Sequence, residues 1–244
     1  MDAWLWPILG ACLGLVAGSF LATLVLRWPE GRALSGRSRC DGCGTVLGMA
    51  ELVPLLSWAV LRGRCRHCGA AIDPTHPAME AAAAAMGGLA LLVDPSPAGL
   101  AGALFGWLLL ALLALDLAHL WLPDRLTLPL LALGLLFGMG SPTERLAGAM
   151  IGGGGLLLLA LAYRRLRGRD GLGLGDAKLM AGLGAWLSPA MIAPLLLLSA
   201  LAGLAFAAVR ARRAGGSAAD PVPFGACLAI VAFPLWLGVQ AAAG

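Results

Sequence analysis

Three aspartates stand where apolar runs of the chain begin or end. Asp116 closes one run in Leu115-Asp116-Leu117-Ala118-His119, Asp124 opens another after Leu122-Pro123, and Asp176 lies within Gly173-Leu174-Gly175-Asp176-Ala177-Lys178. Carboxylates are costly to keep at such borders and therefore point to function. Two of them brought together cannot both ionise easily, so they share a proton. The ionised member can take a proton from water while the protonated one polarises a peptide carbonyl, which is the chemistry of peptide hydrolysis. Gly173 and Gly175 remove side-chain bulk beside Asp176, letting an extended substrate backbone approach. Each aspartate also has a structural reading. Asp124 follows Pro123 at a helix start, beside Arg125, and suits a cap. Asp176 could cap in the same way, whereas Asp116 would face the unfavourable end of a helix dipole.

A second group of residues can hold a metal. Cys40-x2-Cys43 and Cys65-x2-Cys68 are separated by 21 residues. Two such knuckles supply four thiolates that close a tetrahedron around zinc. Four protein ligands leave no open position for water, so the centre is read as structural. Arg39, Arg64 and Arg66 adjoin the ligands and are placed to stabilise thiolates. The alternative is two redox pairs or uncoordinated cysteines. His67, between two ligands, is read as solvated, and Cys12 and Cys227, inside apolar runs, as packing residues. Other chemistries have little material. The chain holds 3 His, two of them in the cysteine-bearing segment, too few for a convincing Ser-His or Cys-His triad. The Gly152 to Gly155 run lacks the Lys-Ser/Thr of a phosphate loop.

The elements that must position these groups are membrane helices. Of 244 residues, 60% are hydrophobic and only 12% charged, about half the roughly 25% of a soluble domain. A core of this length cannot hide so much apolar surface from water. A soluble enzyme, a disordered regulator and a secreted disulfide scaffold are excluded. Eight apolar spans are expected, at about 4–26, 78–93, 98–116, 124–140, 145–163, 175–188, 190–209 and 223–241. Met1-Asp2-Ala3 carries no basic region of a cleavable signal, so the first span is read as retained. Glycines and alanines such as Gly152 to Gly155 and Ala81 to Ala85 suit close helix packing in lipid.

The basic residues orient these spans. If 27–77 is cytoplasmic and the spans alternate, that side holds seven Arg in 27–77, then Arg125, Arg164, Arg165, Arg167, Arg169, Lys178, Arg210, Arg212 and Arg213. Only Arg145 of the 17 basic residues is left outside, as the positive-inside rule expects. The net charge of +4 is therefore read as topology, and nucleic acid is not expected as a partner. All three aspartates then lie at the cytoplasmic boundary, with both termini outside.

Together these pieces resemble the bacterial type IV prepilin peptidases, membrane aspartyl proteases with a Gly-x-Gly-Asp motif. The matching residues are Gly18-Ser19-Phe20-Leu21, the two Cys pairs, and Leu52-Val53-Pro54-Leu55-Leu56-Ser57-Trp58 with Leu61-Arg62-Gly63-Arg64-Cys65. They continue with Asp116, Leu122-Pro123-Asp124-Arg125-Leu126-Thr127-Leu128-Pro129, Gly173 to Lys178, and Pro221-Val222-Pro223-Phe224-Gly225. The resemblance implies an all-α polytopic inner-membrane protein in three parts. Residues 1–26 are the first helix, 27–77 a cytoplasmic zinc-binding domain, and 78–244 the peptidase domain. It implies Asp116 and Asp176 as catalytic residues, supported by Gly173, Gly175, Lys178 and Asp124.

The implied substrates are prepilins or type II secretion pseudopilins, whose short basic leaders are cut at the cytoplasmic face. Pilus or secretion assembly machinery would be the further partners. Many members also methylate the new N-terminus with S-adenosylmethionine, and Gly63 and Glu80 are the candidates for that activity. The chain departs from the family here: Ala22 replaces a usual Asn, and Thr75-His76-Pro77 replaces Arg-Tyr-Pro. The competing reading is a polytopic transporter or assembly scaffold with a zinc-stabilised cytoplasmic loop. It needs Asp116 and Asp176 apart, or each paired with a basic residue.

Overall fold

The computed structural model describes residues 4–168, 171, 173–212 and 221–243; Arg169 and Arg213 fall outside this range. Among the described residues nine α-helices form: α1 (Leu5–Arg27), α2 (Leu56–Val60), α3 (Thr75–Val93), α4 (Pro97–His119), α5 (Asp124–Phe137), α6 (Pro142–Arg167), α7 (Leu174–Leu187), α8 (Ile192–Arg212) and α9 (Phe224–Ala243). No strand is present among these residues, only two isolated antiparallel bridges. The all-α expectation holds.

Every one of the eight expected spans is helical, but among the described residues six helical stretches have the length and apolarity to cross a membrane. The two that fall short, α5 and α7, have 14 residues each. At about 1.5 Å per residue they reach roughly 21 Å, against a hydrocarbon core of about 30 Å. The count of eight full crossings is therefore not confirmed by helix length. Both short helices carry a candidate aspartate in their first turn, Asp124 in α5 and Asp176 in α7.

The chain divides into two compact units, Met1–Ala111 and Leu112–Gly244, with the boundary inside α4. In the first unit, α1 and α3 cross backbone to backbone. Gly10, Gly14 and Gly18 form one stripe along α1, four residues apart and so on one face. A β-carbon on Gly10 would run into the Gly87 carbonyl, one on Gly14 into the Ala83 carbonyl, and one on Gly18 would lie 2.6 Å from the Glu80 α-carbon. Small residues permit this approach, and dispersion between the closely packed backbones holds it in lipid. The N-terminal part of α4 joins the pair through Trp107, whose indole N–H donates to the Ala83 carbonyl at 2.9 Å. Residues 28–74 connect α1 to α3 and carry the four cysteines.

In the second unit α7 is central and nearly all buried. Gly148 of α6 and Gly184 of α7 meet as α1 and α3 do, each without room for a β-carbon. Trp186 of α7 lies over Gly134 of α5 and donates its indole N–H to the Leu130 carbonyl at 2.9 Å. An aromatic with a polar handle thus finds a partner inside an apolar layer. Of the Gly152 to Gly155 run, Gly152 and Gly153 pack on α7, while Gly154 and Gly155 have nothing within 4 Å. α6 starts with a capping box: Ser141 Oγ accepts from the Glu144 N–H and Glu144 accepts from the Ser141 N–H. Arg145, the exception to the charge asymmetry, has local work. Its guanidinium donates to the Leu136 carbonyl at 2.6 Å, left open at the end of α5, and to the Gly140 carbonyl at 3.1 Å in the turn before α6.

Candidate active site and metal centre

Asp116 lies in the last turn of α4 and Asp176 in the first turn of α7, both within the second unit. Both are buried, at 5% and 8% exposure, where the chain's composition leaves few carboxylates. A third element meets them. Pro221-Val222-Pro223 leads into α9, and the first N–H groups of a helix have no partner within it. The Ala226 N–H donates to Asp116 Oδ2 at 2.7 Å. The adjacent Gly225 leaves open a point that lies 3.0 Å from Asp116 Oδ2 and 3.2 Å from Asp176 Oδ1, the position its β-carbon would take. The two oxygens are thus no further apart than the sum of those distances, and both face one spot. Among the described residues neither carboxylate takes part in an ion pair.

The supporting residues behave differently from one another. Gly173 is the residue before α7, and its missing β-carbon leaves 3.1 Å to Asp176 Oδ2. Gly175 faces the side chain of Leu122. Asp124 is the first residue of α5, but no side-chain cap forms at that end. Its Oδ1 instead accepts from Lys178 Nζ at 2.6 Å, an exposed pair that ties the start of α5 to the start of α7. The capping role read from Pro123-Asp124 is corrected accordingly: the partner is Lys178, 54 residues on, not the local backbone or Arg125. Reading the sequence alone missed Ala226 and gave Gly225 and Leu122 no role. The available signal was the Pro-x-Pro stop before an apolar helix, which marks a helix start with free N–H groups.

The four cysteines do converge. The Sγ atoms of Cys40, Cys43, Cys65 and Cys68 all lie within 4.8 Å of one another. Cys40 and Cys68 are 3.8 Å apart, close to the edge of about 3.8 Å that Zn–S bonds of about 2.3 Å give a tetrahedron. The two knuckles are near copies. Cys40 N–H bonds the Thr45 carbonyl and Cys65 N–H the Ala70 carbonyl; Gly44 and Gly69 turn each chain back at φ near +70°. Gly42 and His67 each donate an N–H to the first sulfur of their knuckle at 3.4 Å. Backbone N–H groups of Cys68 and His67 hold the Cys65 thiol below its usual range, and Thr45 brings that of Cys43 down to about 6. Desolvation and the three neighbouring sulfurs push that of Cys68 up to about 11. The donor set fits a structural metal. Arg39 and Arg64 brace the turns rather than the sulfurs, each donating to a glycine carbonyl at 3.3 Å. His67 is not simply solvated, since its Nε2 lies 3.2 Å from Glu51 Oε1. Of the two remaining cysteines, Cys227 is buried and Cys12 exposed on the surface of α1.

The metal centre carries its own prediction. Cys40→Ser should lose stoichiometric metal from the purified protein, measured by elemental analysis, whereas Cys12→Ser should keep it. Retention of one metal per chain by Cys40→Ser would remove the four-thiolate assignment.

Between the knuckles and the α1–α3 pair lies a cleft bordered by Ser57, Trp58, Asp73, His76 and Glu80. Glu80 is buried, and its Oε2 accepts the Leu55 N–H at 2.7 Å, holding a residue at φ 58°. Gly63 sits at φ +69° against the Trp58 indole, where a β-carbon would lie 3.2 Å from Nε1. Asp73 accepts the Thr75 N–H at 2.8 Å, and Thr75 holds its carboxyl below the usual carboxylate range. Thr75-His76-Pro77 is thus the start of α3.

Comparison with known proteins places both halves of the chain. Residues 12–93 match the bacterial peptidase A24 N-terminal domain, and residues 103–208 the type IV leader peptidase family. Curated relatives include the prepilin leader peptidase/N-methyltransferase of Aeromonas salmonicida, 42% identical over 80% of this chain and 68% of the relative. The protein of the same name from Burkholderia pseudomallei is 39% identical over 89% of this chain and 80% of its own. That from Aeromonas hydrophila is 37% identical over 93% and 89%. No solved structure matches the chain. With two buried carboxylates facing one glycine, a four-cysteine cluster and matches along most of its length, the chain belongs to the bacterial type IV leader peptidase family and is an enzyme, a peptidase of the inner membrane.

Proposed function

We propose that the protein removes the short basic leader of type IV prepilins or type II secretion pseudopilins by an aspartate dyad, Asp116 and Asp176, and methylates the amine so exposed. The observation that carries the dyad is the common spot beside Gly225 that both buried carboxylates face. With one proton shared between them, the ionised carboxylate takes a proton from water, whose oxygen bonds to the scissile carbonyl carbon. The protonated carboxyl donates to the carbonyl oxygen. Collapse of the adduct breaks the C–N bond, and the departing amine takes up a proton. Gly173 leaves room beside Asp176, and the Lys178–Asp124 pair holds the starts of α5 and α7 in register. The transporter or scaffold reading needs the two aspartates apart or ion-paired, and the geometry favours the peptidase.

The basic residues support a topology with the cysteine-bearing segment and the dyad at the cytoplasmic face and both termini outside. In that arrangement the leader stays in the cytoplasm, the apolar stalk lies in lipid, and the cut falls between them. Residues 27–77 form the zinc-binding part, with zinc the ion that four thiolates at this spacing favour. The cleft around Trp58 and Glu80 is where methyl transfer from S-adenosylmethionine would involve this chain, Gly63 acting by supporting Trp58. The assembly machinery of pili or of type II secretion is the expected recipient of the product.

Mass spectrometry of a co-expressed prepilin tests the reading, since it reports the cleavage position and the N-methyl mass together. An intact leader with the wild-type chain would overturn it. Glu80→Ala should leave cleavage intact and abolish the added methyl mass. Loss of cleavage along with methylation would show that Glu80 serves the fold alone.

A further inference from the structure

Leu122 occupies ground that a substrate needs. It lies in the four-residue connector 120–123 between α4 and α5, half-buried, while its neighbours Leu120 and Trp121 are exposed. Its side chain reaches across two bare backbones. The position of a β-carbon on Gly175 lies 3.1 Å from Leu122 Cβ and 3.3 Å from Cδ1, and that on Gly225 lies 2.6 Å from the same Cδ1. The second of these positions is the spot that both Asp116 and Asp176 face. A scissile peptide must come within hydrogen-bonding reach of both carboxylates there. The leucine methyl and the peptide cannot be in that place together.

We infer that Leu122 is a displaceable plug, seated in the free enzyme in the subsite between Gly175 and Gly225 that an extended apolar segment of substrate takes over on binding. This rests on the dyad assigned above and adds to it the residue that sets access. The chemistry of the plug describes the ligand: an aliphatic group fits between two glycines, and polar bulk does not. Leu122 is only half-buried, so its displacement gives up only part of a leucine's burial. Pro123 fixes the backbone on one side, so the movement falls on the leucine side chain and on residues 120 and 121.

Binding, not cleavage, is the test. The full chain carrying Asp176→Asn is purified in lipid nanodiscs, and a fluorescent synthetic peptide with a basic leader, a glycine and an apolar stalk is titrated by anisotropy. Adding Leu122→Ala should tighten Kd by about tenfold, the factor that about 1.4 kcal/mol gives. Leu122→Val should tighten it less, and Leu122→Trp should weaken it by about tenfold. Unchanged or weaker binding with both Leu122→Ala and Leu122→Val would overturn the plug. If the smaller variant unfolds, Leu122→Val and Leu122→Trp still decide, because a packing residue would weaken binding in both. Normal leader removal by Asp176→Asn would sink the dyad but not this result, so the two failures are distinguishable.

Discussion

Asp176→Asn should stop leader removal, lowering its rate by about three orders of magnitude or more, and Asp116→Asn should do the same. Positioned acid–base groups contribute about 10²–10⁴-fold each, and neither amide can exchange a proton with water or with a leaving amine. Asparagine keeps the size of the side chain, and its carbonyl can still accept the Ala226 N–H at position 116. The variants should therefore insert and accumulate as the wild type does, which immunoblotting of membranes would establish beside mass spectrometry of the co-expressed prepilin. Asp124→Asn is the contrast. It weakens an exposed ion pair of a kind that contributes about 0–1 kcal/mol, so processing should slow only a few-fold. Normal cleavage by Asp116→Asn or Asp176→Asn would end the dyad mechanism.

The second large effect is expected far from that chemistry. Gly14→Leu should prevent α1 and α3 from packing and remove most of the protein from the membrane. Its added side chain would run into the Ala83 carbonyl and lie 2.7 Å from the Ala84 α-carbon. Overpacking usually costs about 1–3 kcal/mol because side chains can shift. Here the obstacle is a helix backbone, which cannot move without separating the helices, so the cost should exceed about 4 kcal/mol. Gly154→Leu meets open space and should accumulate normally. Disulfide trapping between cysteines placed on α1 and α3 would report the packing itself. Efficient trapping with Gly14→Leu would show that the glycine stripe is dispensable.

How much of this was legible beforehand depends on the range of the interaction. The helices followed from apolar runs, and the metal centre from two Cys-x2-Cys spacings, because each is a local pattern. The short reach of α7 showed in its apolar run, 175–188, while that of α5 was harder to see, since apolar flanks such as Gly138 to Gly140 read as span although the helix ends at Phe137. The two aspartates were marked by their borders, but what holds Asp116 was not. Its donor lies 110 residues away on α9, and a backbone N–H leaves no trace in residue type. Asp124 misled for the same reason: a local cap and a distant Lys178 look alike until the chain is folded. The pairing of Gly10, Gly14 and Gly18 with α3 was similarly hidden, since a glycine at four-residue spacing does not name its partner.

The glycine stripe also bears on how the protein is made. Gly14 emerges from the ribosome roughly seventy residues before its neighbour at Ala83, and at about 5–20 residues per second this is a wait of several seconds. Throughout that interval α1 sits in the bilayer with its contact face bare. Any other small-residue helix that diffuses past can take the place meant for α3. A contact face made only of small residues is therefore open to mispairing until α3 has been made.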